Sequence, residues 1–414
     1  KKRVLKSFKN IINDRIDFEY LSWPIAFDSN GKKAVYIYEN DIFILYTSAS
    51  IVRRITNSKG IEKSPRFSPD GSKLAYVRDN NLFIYDFKRK SERQITRDGS
   101  DTILNGTLSW VYWEEIFGRQ DIGYWWSNDS KAISFLQTDE SLVSKMYYIN
   151  HRSVIPDLIT QRYPKAGTEN PKVRLGIFEI SNPRIKWIKI DPYEYICRVK
   201  WHPDNKRISV QTMNRNQTEL ILYYVDRKTG KSFDPILKEY DEGWVNINDD
   251  LYFLNSNDFL WQSERDGFAH IYRFKENGNL INQVTKGNWA LRSSGGPFWL
   301  RRSIVNIDEK NEQIYFTSLE KSSVERHLYK INFDGSNLER ITKSDGVHKI
   351  SFCPNGEYYF DLYSNSSQMP SLGLYDKNGN RIKLIDKPKT DLLTELNIQT
   401  PELFRIPTSD GFLM

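Results

Sequence analysis

One short turn motif recurs along this chain and restricts the folds that it can adopt. Its clearest copy is Pro69-Asp70-Gly71, in which proline presets the backbone and glycine accepts a positive φ. The flanking runs, within 67–77 and 80–86, alternate in polarity with the period of two that half-buried strands show. Weaker copies of the motif follow at 27–31, 126–130, 201–205 and 352–356. The pattern predicts a series of antiparallel hairpins.

A second repeat, an apolar residue followed by threonine, closes several of these units. It ends at Thr56, Thr96, Thr285 and Thr342, and the first two of these stand 40 residues apart. An antiparallel unit of roughly 40–50 residues is typical of a propeller blade, and the chain has room for about eight four-stranded blades. A pair of β-sandwiches would also show short strands and turns, but it gives no reason for either repeat. We therefore predict an all-β fold, a β-propeller.

The composition agrees with strands and argues against several functions. Aromatic residues make up 14% of the 414 residues, which favours half-buried strands. The formal charge of +7 comes from scattered lysines and arginines, so we expect no nucleic-acid groove. The five histidines and two cysteines match no ligand spacing, and no apolar run reaches the ~20 residues of a membrane span. We expect no metal, no cofactor and no membrane span, while Cys197 and Cys353 are either free or paired.

Two adjacent glutamates stand among aromatic residues in a stretch that lies outside these repeats. Trp110, Trp113 and Phe117 recur at i, i+3 and i+7, so a short helical turn would place all three on one buried face. Glu114 and Glu115 would then lie together at the rim of that face, where they suit a primary ammonium ion with its three donors. A solvated surface pair is the commoner explanation of adjacent glutamates, and these residues alone leave both explanations open.

Several segments resemble the dipeptidyl peptidase IV branch of the prolyl oligopeptidase family. Residues 110–117, WVYWEEIF, are similar to the family's WVYEEE segment, which is a short helix inserted into a β-propeller. The match continues through 124–127 and through the motif YPKAGxxNP at 163–171. It is strong at 105–127 and 163–171, moderate at 266–289 and weak elsewhere. The resemblance implies the same propeller fold.

The resemblance also implies a function for the glutamate pair. Family members remove a dipeptide from a free N-terminus when proline or alanine is second, and their motif makes Glu114 and Glu115 the residues that bind the α-ammonium. Phe268 matches an aromatic that lines the family's substrate cavity, although a packed aromatic beside a hairpin turn is an equal alternative. Trp113 replaces the first acid of the family's three-glutamate run, and Ala269 replaces an arginine of some relatives. The family's arginine from an early blade matches no motif here and is left unassigned.

The two ends of the chain do not follow the repeat. Residues 1–20 have the spacing of an amphipathic helix, which the resemblance associates with an α/β-hydrolase domain. The propeller is expected over 21–393, and 394–414 looks like the truncated start of that hydrolase domain. The chain has no G-x-S-x-G elbow, and the Ser/Gly-rich stretch 293–296 is better explained as a loop. We therefore expect no catalytic residue in this chain and no hydrolysis by it alone.

The resemblance implies partners as well. A peptide with a free N-terminus is the expected substrate, and the hydrolase domain of the same full-length protein is the expected partner. Family members are often exported and dimeric, which favours export and a possible homodimer, although the residues themselves leave the compartment open. Two functions remain: a substrate-recognition and access-gating propeller of a serine exopeptidase, or a propeller that only binds proteins or ligands.

Overall fold

The computed structural model describes most of the chain. The described residues are 2–12, 22–247, 249–293, 302–389 and 391–414. Parts of two predicted segments therefore lie outside the described residues, namely 13–20 of the N-terminal helical segment and 294–296 of the Ser/Gly-rich loop. The chain divides into two compact units, Lys1–Val245 and Asn246–Met414.

The first unit begins with helix α1 and contains four antiparallel sheets of four or five strands in its described residues. Helix α1 is Lys2–Ile12. Sheet 1 consists of β1 Ala26–Phe27, β2 Lys33–Tyr38, β3 Asp41–Tyr46 and β4 Ile51–Arg54. Sheet 2 consists of β5 Glu62–Phe67, β6 Lys73–Arg78, β7 Asn81–Asp86 and β8 Ser91–Gln94. Sheet 4 consists of β16 Tyr195–Trp201, β17 Arg207–Met213, β18 Glu219–Asp226 and β19 Leu237–Tyr240.

Sheet 3 is more elaborate than its neighbours in sequence. Its five strands are β9 Ile103–Asn105, β10 Tyr124–Trp126, β11 Ala132–Asp139, β14 Lys172–Glu179 and β15 Asn182–Trp187. Strands β9 and β10 both pair with β11, and a π-helical turn, Tyr112–Ile116, lies between them in sequence. Between β11 and β14 the chain forms a separate two-stranded hairpin, β12 Lys145–Asn150 and β13 Asp157–Arg162.

The second unit continues the series with three four-stranded sheets in its described residues. Sheet 5 consists of β20 Leu251–Phe253, β21 Phe259–Ser263, β22 His270–Phe274 and β23 Leu280–Gln283. Sheet 6 consists of β24 Ile304–Asp308, β25 Gln313–Ser318, β26 His327–Asn332 and β27 Glu339–Arg340. Sheet 7 consists of β28 Val347–Phe352, β29 Tyr358–Asn365, β30 Gln368–Asp376 and β31 Arg381–Asp386. A short helix α2, Asp391–Glu395, and an isolated bridge between Pro407 and Leu413 follow.

Consecutive strands pair with one another in six of the seven larger sheets, as expected for propeller blades, and sheet 3 departs from this order because β9 also pairs with β11 and the hairpin β12–β13 separates β11 from β14. The predicted all-β propeller class is confirmed. Of about eight predicted blades, seven sheets have four or more strands in the part of the chain that the structure describes, and the eighth sheet is the hairpin β12–β13.

The predicted turn motif has one structure at all five of its copies. In each five-residue copy the N–H of the fifth residue donates to the carbonyl of the second, over 2.8 to 3.0 Å. The five donor and acceptor pairs are Gly31 with Asp28, Gly71 with Ser68, Ser130 with Ser127, Asn205 with His202, and Gly356 with Cys353. These bonds close the tight hairpins that the sequence predicted.

The apolar-threonine repeat also has a common structural role. Each threonine Oγ1 accepts the N–H of a residue in the third strand of its sheet, and the preceding apolar residue donates to the carbonyl of that same residue. The residues held in this way are Ile42 by Thr56, Leu82 by Thr96, Ile271 by Thr285 and Leu328 by Thr342. We call this arrangement the threonine clamp, and it extends the pairing between third and fourth strands by one residue.

Helix α1 packs against the first sheet. Phe8 is 2% exposed, and its ring centroid lies 5.3 Å from that of Tyr36 and 5.7 Å from that of Phe43. The Val52 N–H in β4 donates to Ser7 Oγ at 2.9 Å, which ties the helix to the sheet edge. The predicted helix is therefore present, and its association with a hydrolase domain stays a prediction.

We predict that Thr96→Val destabilises the first unit by about 1–3 kcal/mol, since the change removes the hydroxyl that accepts a buried N–H group and alters the side-chain volume little. Thr96 is 2% exposed and receives the Leu82 N–H at 2.9 Å. Urea unfolding measures the loss. The matched control is Thr160→Val, an exposed threonine of β13, which should leave stability unchanged; equal stability of the two variants would contradict the clamp.

Candidate functional site

The predicted helical segment around the glutamates is a π-helical turn rather than an α-helical one. Phe117 N–H donates to the Tyr112 carbonyl five residues earlier, at 2.8 Å. Gly118 and Arg119 follow with φ of +58° and +65°, and the left-handed backbone there ends the turn. Short π-helical turns are rare and occur frequently at functional sites.

The wider turn changes which side chains are buried. Tyr112 is fully buried, Ile116 and Phe117 are nearly so, and Trp110 and Trp113 are only partly buried. The predicted single face of Trp110, Trp113 and Phe117 is therefore wrong. It assumed the spacing of an α-helix, whereas a five-residue hydrogen bond rotates Phe117 away from the two tryptophans and onto the ring of Tyr112.

The buried face is attached to sheet 4 by hydrogen bonds to the backbone. The Ile196 N–H donates to the Tyr112 hydroxyl at 3.2 Å. Arg198, in β16, donates from one guanidinium nitrogen to the Ile116 carbonyl at 2.7 Å and lies over the ring of Phe117, 5.3 Å from its centroid. These contacts fix the end of the π-helical turn to a sheet strand that is remote in sequence.

The loop that leads into the turn is held by one carboxylate. Asp121 Oδ1 accepts the Leu108 N–H at 2.7 Å and the Thr107 hydroxyl at 2.6 Å. The Ser64 hydroxyl of sheet 2 donates to the carbonyl of the same aspartate at 2.5 Å. The segments before and after the π-helical turn are therefore joined to each other and to sheet 2.

The two motifs that carry the family resemblance meet in space. The Tyr163 ring, from YPKAGxxNP, packs edge-on against Trp110 at a centroid distance of 4.8 Å, and Trp110 in turn contacts Trp113 at 6.3 Å. Asn170 of the same motif donates to Glu194 Oε1 at 2.6 Å and to the Tyr195 hydroxyl at 2.8 Å. The aromatic residues near the glutamates thus belong to both motifs.

Glu114 and Glu115 lie side by side in this turn but differ in their contacts. The Glu114 side chain is 20% exposed and pairs with Arg119, whose Nε lies 2.9 Å from Oε1. Glu115 is exposed and forms no hydrogen bond or ion pair with any residue that the structure describes. One carboxylate therefore has a cationic partner, and the other is open to an incoming donor.

Sequence reasoning missed Arg119 and Arg198. Arg119 comes five residues after Glu114 and beyond the π-helical turn, a separation that an α-helix would not place on one face. Arg198 stands 82 residues from the carbonyl that it binds, and no local pattern marks it. The family's unassigned arginine stays unassigned.

Phe268 lies in the second unit, in the turn between β21 and β22. It is 37% exposed, next to Gly267 with a φ of +97° and to Ala269, which is buried. A hairpin turn is thus present as expected, and the Phe268 ring retains a partly open surface. Its contact with a substrate stays a prediction.

Other predicted features can be located directly. Neither Cys197 nor Cys353 forms a disulfide among the described residues, and burial raises the pKa of the Cys197 thiol to about 12. The described residues hold no cluster of His, Cys, Asp and Glu that could bind a metal ion. No described helix is both long and apolar enough to span a membrane.

Residues 37–370, more than half of the chain, match the model of the dipeptidyl peptidase IV (DPP IV) N-terminal region. The chain therefore belongs to this family, as the resemblance indicated. Among solved structures, it is similar to dipeptidyl peptidase 4 of Porphyromonas gingivalis, with 26% identity and a TM-score of 0.84 over 96% of this chain and 57% of that one. A putative dipeptidyl aminopeptidase IV of Bacteroides ovatus, at 19% identity and a TM-score of 0.75 over 94% and 55% of the two chains, shows the same fold.

Curated relatives give the same family. Dipeptidyl aminopeptidase B of Saccharomyces cerevisiae is 30% identical over 72% of this chain and 38% of its own length. A probable dipeptidyl-aminopeptidase B of Aspergillus oryzae is 28% identical over 77% of this chain and 38% of its own length. The chain thus spans well under half of the curated relatives that it matches.

We predict that Arg198→Met loosens the π-helical turn without unfolding the first unit, because the change removes a charged donor to the Ile116 carbonyl and keeps an apolar side chain. A hydrogen bond from a charged group contributes about 1.5–3 kcal/mol, so amide hydrogen exchange at Phe117 and Arg119 should accelerate by about ten- to a hundredfold. Arg184→Met, at an exposed position of β15, is the control. Unchanged exchange in Arg198→Met would show that the turn does not need this anchor.

Proposed function

We propose that this chain is the substrate-recognition and access-gating propeller of a dipeptidyl-peptidase IV-like serine exopeptidase that releases X-Pro and X-Ala dipeptides from free N-termini. The observation that carries the proposal is the pair of adjacent carboxylates on an anchored π-helical turn. Glu115 forms no hydrogen bond or ion pair with any described residue, so its carboxylate can bind a ligand. The hydrolytic serine machinery would come from the hydrolase domain of the full-length protein.

The local charge suits an α-ammonium group. Two carboxylates and the guanidinium of Arg119 carry a net charge of −1 between them, while the guanidinium of Arg198 contacts the turn at the Ile116 carbonyl. An ammonium ion brings one positive charge and three donors, so it can neutralise this charge while it binds both carboxylates. Each charge-assisted hydrogen bond contributes about 1.5–3 kcal/mol, which an acetylated N-terminus would lose.

The anchoring of the turn supports selection of a dipeptide. Buried Tyr112 and the Arg198 contacts hold the glutamate backbone in one position relative to sheet 4. A fixed binding point for the charged terminus would place one peptide bond, and no other, at the catalytic serine of the full-length enzyme. Within the second unit, Phe268 is proposed separately as a substrate contact, because it is 37% exposed.

The glutamate proposal can be tested on this chain by calorimetric titration with an Ala-Pro-Ala peptide. We expect the free peptide to bind and its N-acetylated form to bind far more weakly, because acetylation removes the positive charge. Glu115→Gln should weaken binding of the free peptide by about ten- to a hundredfold, and Glu114→Gln by less, since Arg119 already shares Glu114.

Glu169→Gln, an exposed glutamate in the neighbouring YPKAGxxNP segment, is the control and should bind as the unaltered chain does. Equal affinity for free and acetylated peptides would refute ammonium recognition. A second measurement distinguishes the two candidate functions. If the full-length protein hydrolyses Ala-Pro substrates, it is an exopeptidase; if it binds them without hydrolysis, the propeller only binds ligands.

We also propose that the family's dimeric state applies here, with the hairpin β12–β13 as its contact surface. The hairpin exposes an apolar set on one face and in its loop: Tyr147 63%, Ile149 59% and Leu158 66% on the face, and Val154 103% and Ile155 80% in the loop. A two-stranded hairpin is marginal when it stands alone, and apolar surface of this kind favours burial against a partner. A two-fold contact would pair the hairpin with its own copy.

Sedimentation velocity tests the dimer. Ile149→Asp with Leu158→Asp introduces charges at paired positions of the hairpin and should shift the chain from dimer to monomer. Leu280→Asp, an equally exposed apolar position in β23, should leave the dimer intact. A monomeric unaltered chain, or dimers in all three proteins, would exclude this surface.

A further inference from the structure

The second unit carries two arginines on one face of a short three-stranded ladder. Leu291 forms an antiparallel bridge with Ser318, and Ser318 pairs with His327 in the next strand. Side chains alternate between the two faces of a strand, and paired residues share a face. Leu291, Ser318 and His327 therefore share one face of the ladder. Arg292 follows Leu291 and Arg326 precedes His327, so the side chains of both arginines project from the opposite face.

These two arginines have no acidic partner in the part of the chain that the structure describes. Neither side chain forms an ion pair or hydrogen bond with any residue that the structure describes, and Nε of Arg326 is buried without a partner. Burial and the like charge of Arg292 both lower the pKa of the Arg326 guanidinium. Residues 294–301, SGGPFWLR, contain no carboxylate in their sequence.

The carboxylates nearest in sequence to Arg326 are engaged elsewhere. Glu325 Oε2 lies 2.9 Å from the Lys321 ammonium and 2.7 Å from His327 Nε2. Glu320 accepts the Tyr329 hydroxyl at 2.9 Å. Glu325 is therefore paired with another cation and Glu320 is bonded to a hydroxyl, and neither carboxylate bonds to the two arginines.

We propose that Arg292 and Arg326 form a binding site for a carboxylate group of a peptide. A partly buried cation without a counter-ion is unfavourable. A bound anion would reduce the repulsion between the two guanidinium groups and would accept hydrogen bonds from their N–H groups. A guanidinium matches a carboxylate through two parallel N–H bonds, which makes this ligand class a closer fit than a neutral amide.

The location of Arg292 connects this site to the predicted substrate contact within the same unit. The Leu291 N–H donates to the Ala269 carbonyl at 2.9 Å, so Arg292 adjoins the turn that carries Phe268. A peptide that contacts Phe268 could present either an acidic side chain or its C-terminal carboxylate to the arginines. The peptide origin of the carboxylate rests on the proposed function, whereas the anion site itself does not.

The test uses three N-acetylated peptides, because they have no ammonium group and their binding is independent of the glutamate pair. They are Ala-Ala-Glu with an amidated C-terminus, Ala-Ala-Gln with an amidated C-terminus, and Ala-Ala-Gln with a free C-terminal carboxylate. Calorimetric titration of the chain should show that a carboxylate improves affinity by about tenfold or more over the neutral peptide. Preference for the first or the third peptide identifies the side chain or the C-terminus as its source.

Arg292→Gln and Arg326→Gln should each abolish this preference, whereas Arg381→Gln, at an exposed arginine of β31, should preserve it. The two site variants should also unfold at the same or a higher temperature than the unaltered chain, since each removes a repulsion; loss of a merely structural contact would lower that temperature. Equal binding of the acidic and neutral peptides, or a full preference in both site variants, would overturn the proposal.

Discussion

Buried backbone N–H and C=O groups need hydrogen-bond partners, and this constraint underlies both the sheets and the candidate site. Within four sheets, a threonine hydroxyl accepts the N–H of a third-strand residue that the short fourth strand does not reach. At the π-helical turn, the same need is met in both directions. Arg198 of sheet 4 donates to the Ile116 carbonyl of the turn, and the Tyr112 hydroxyl of the turn accepts the Ile196 N–H of sheet 4. The repeated antiparallel sheets thereby hold the π-helical turn in place.

The turns and the threonine clamps could be predicted from sequence because their causes are local. A Pro-Asp-Gly turn needs only four consecutive residues, and each clamp repeats an apolar residue followed by threonine at the end of a unit. The family resemblance added the glutamate pair and its approximate setting. In these respects the sequence predicted the fold class, most of the turns and the identity of the candidate residues.

The local geometry of the site was not predictable in the same way. A spacing of i, i+3 and i+7 fits an α-helix, but the five-residue bond from Phe117 to Tyr112 depends on packing against β16, which begins at Tyr195. The partner of Glu114 depends on this geometry, since Arg119 follows a left-handed residue at the end of the turn. The π-helical form is therefore associated with packing between residues that are distant in sequence, and the spacing of residues 110–117 did not predict it.

The ion pair of Glu114 with Arg119 explains how adjacent carboxylates can be tolerated before a ligand arrives. Two neighbouring negative charges repel each other, and a guanidinium beside one of them reduces that repulsion. The Arg119 side chain is 60% exposed, and ion pairs of such exposure contribute about 0–1 kcal/mol to stability. Such a weak pair yields readily to an ammonium ion, which brings the same charge together with three donors. Arg119 can therefore stabilise the π-helical turn and still leave the glutamates able to bind an ammonium group, as the proposed function requires.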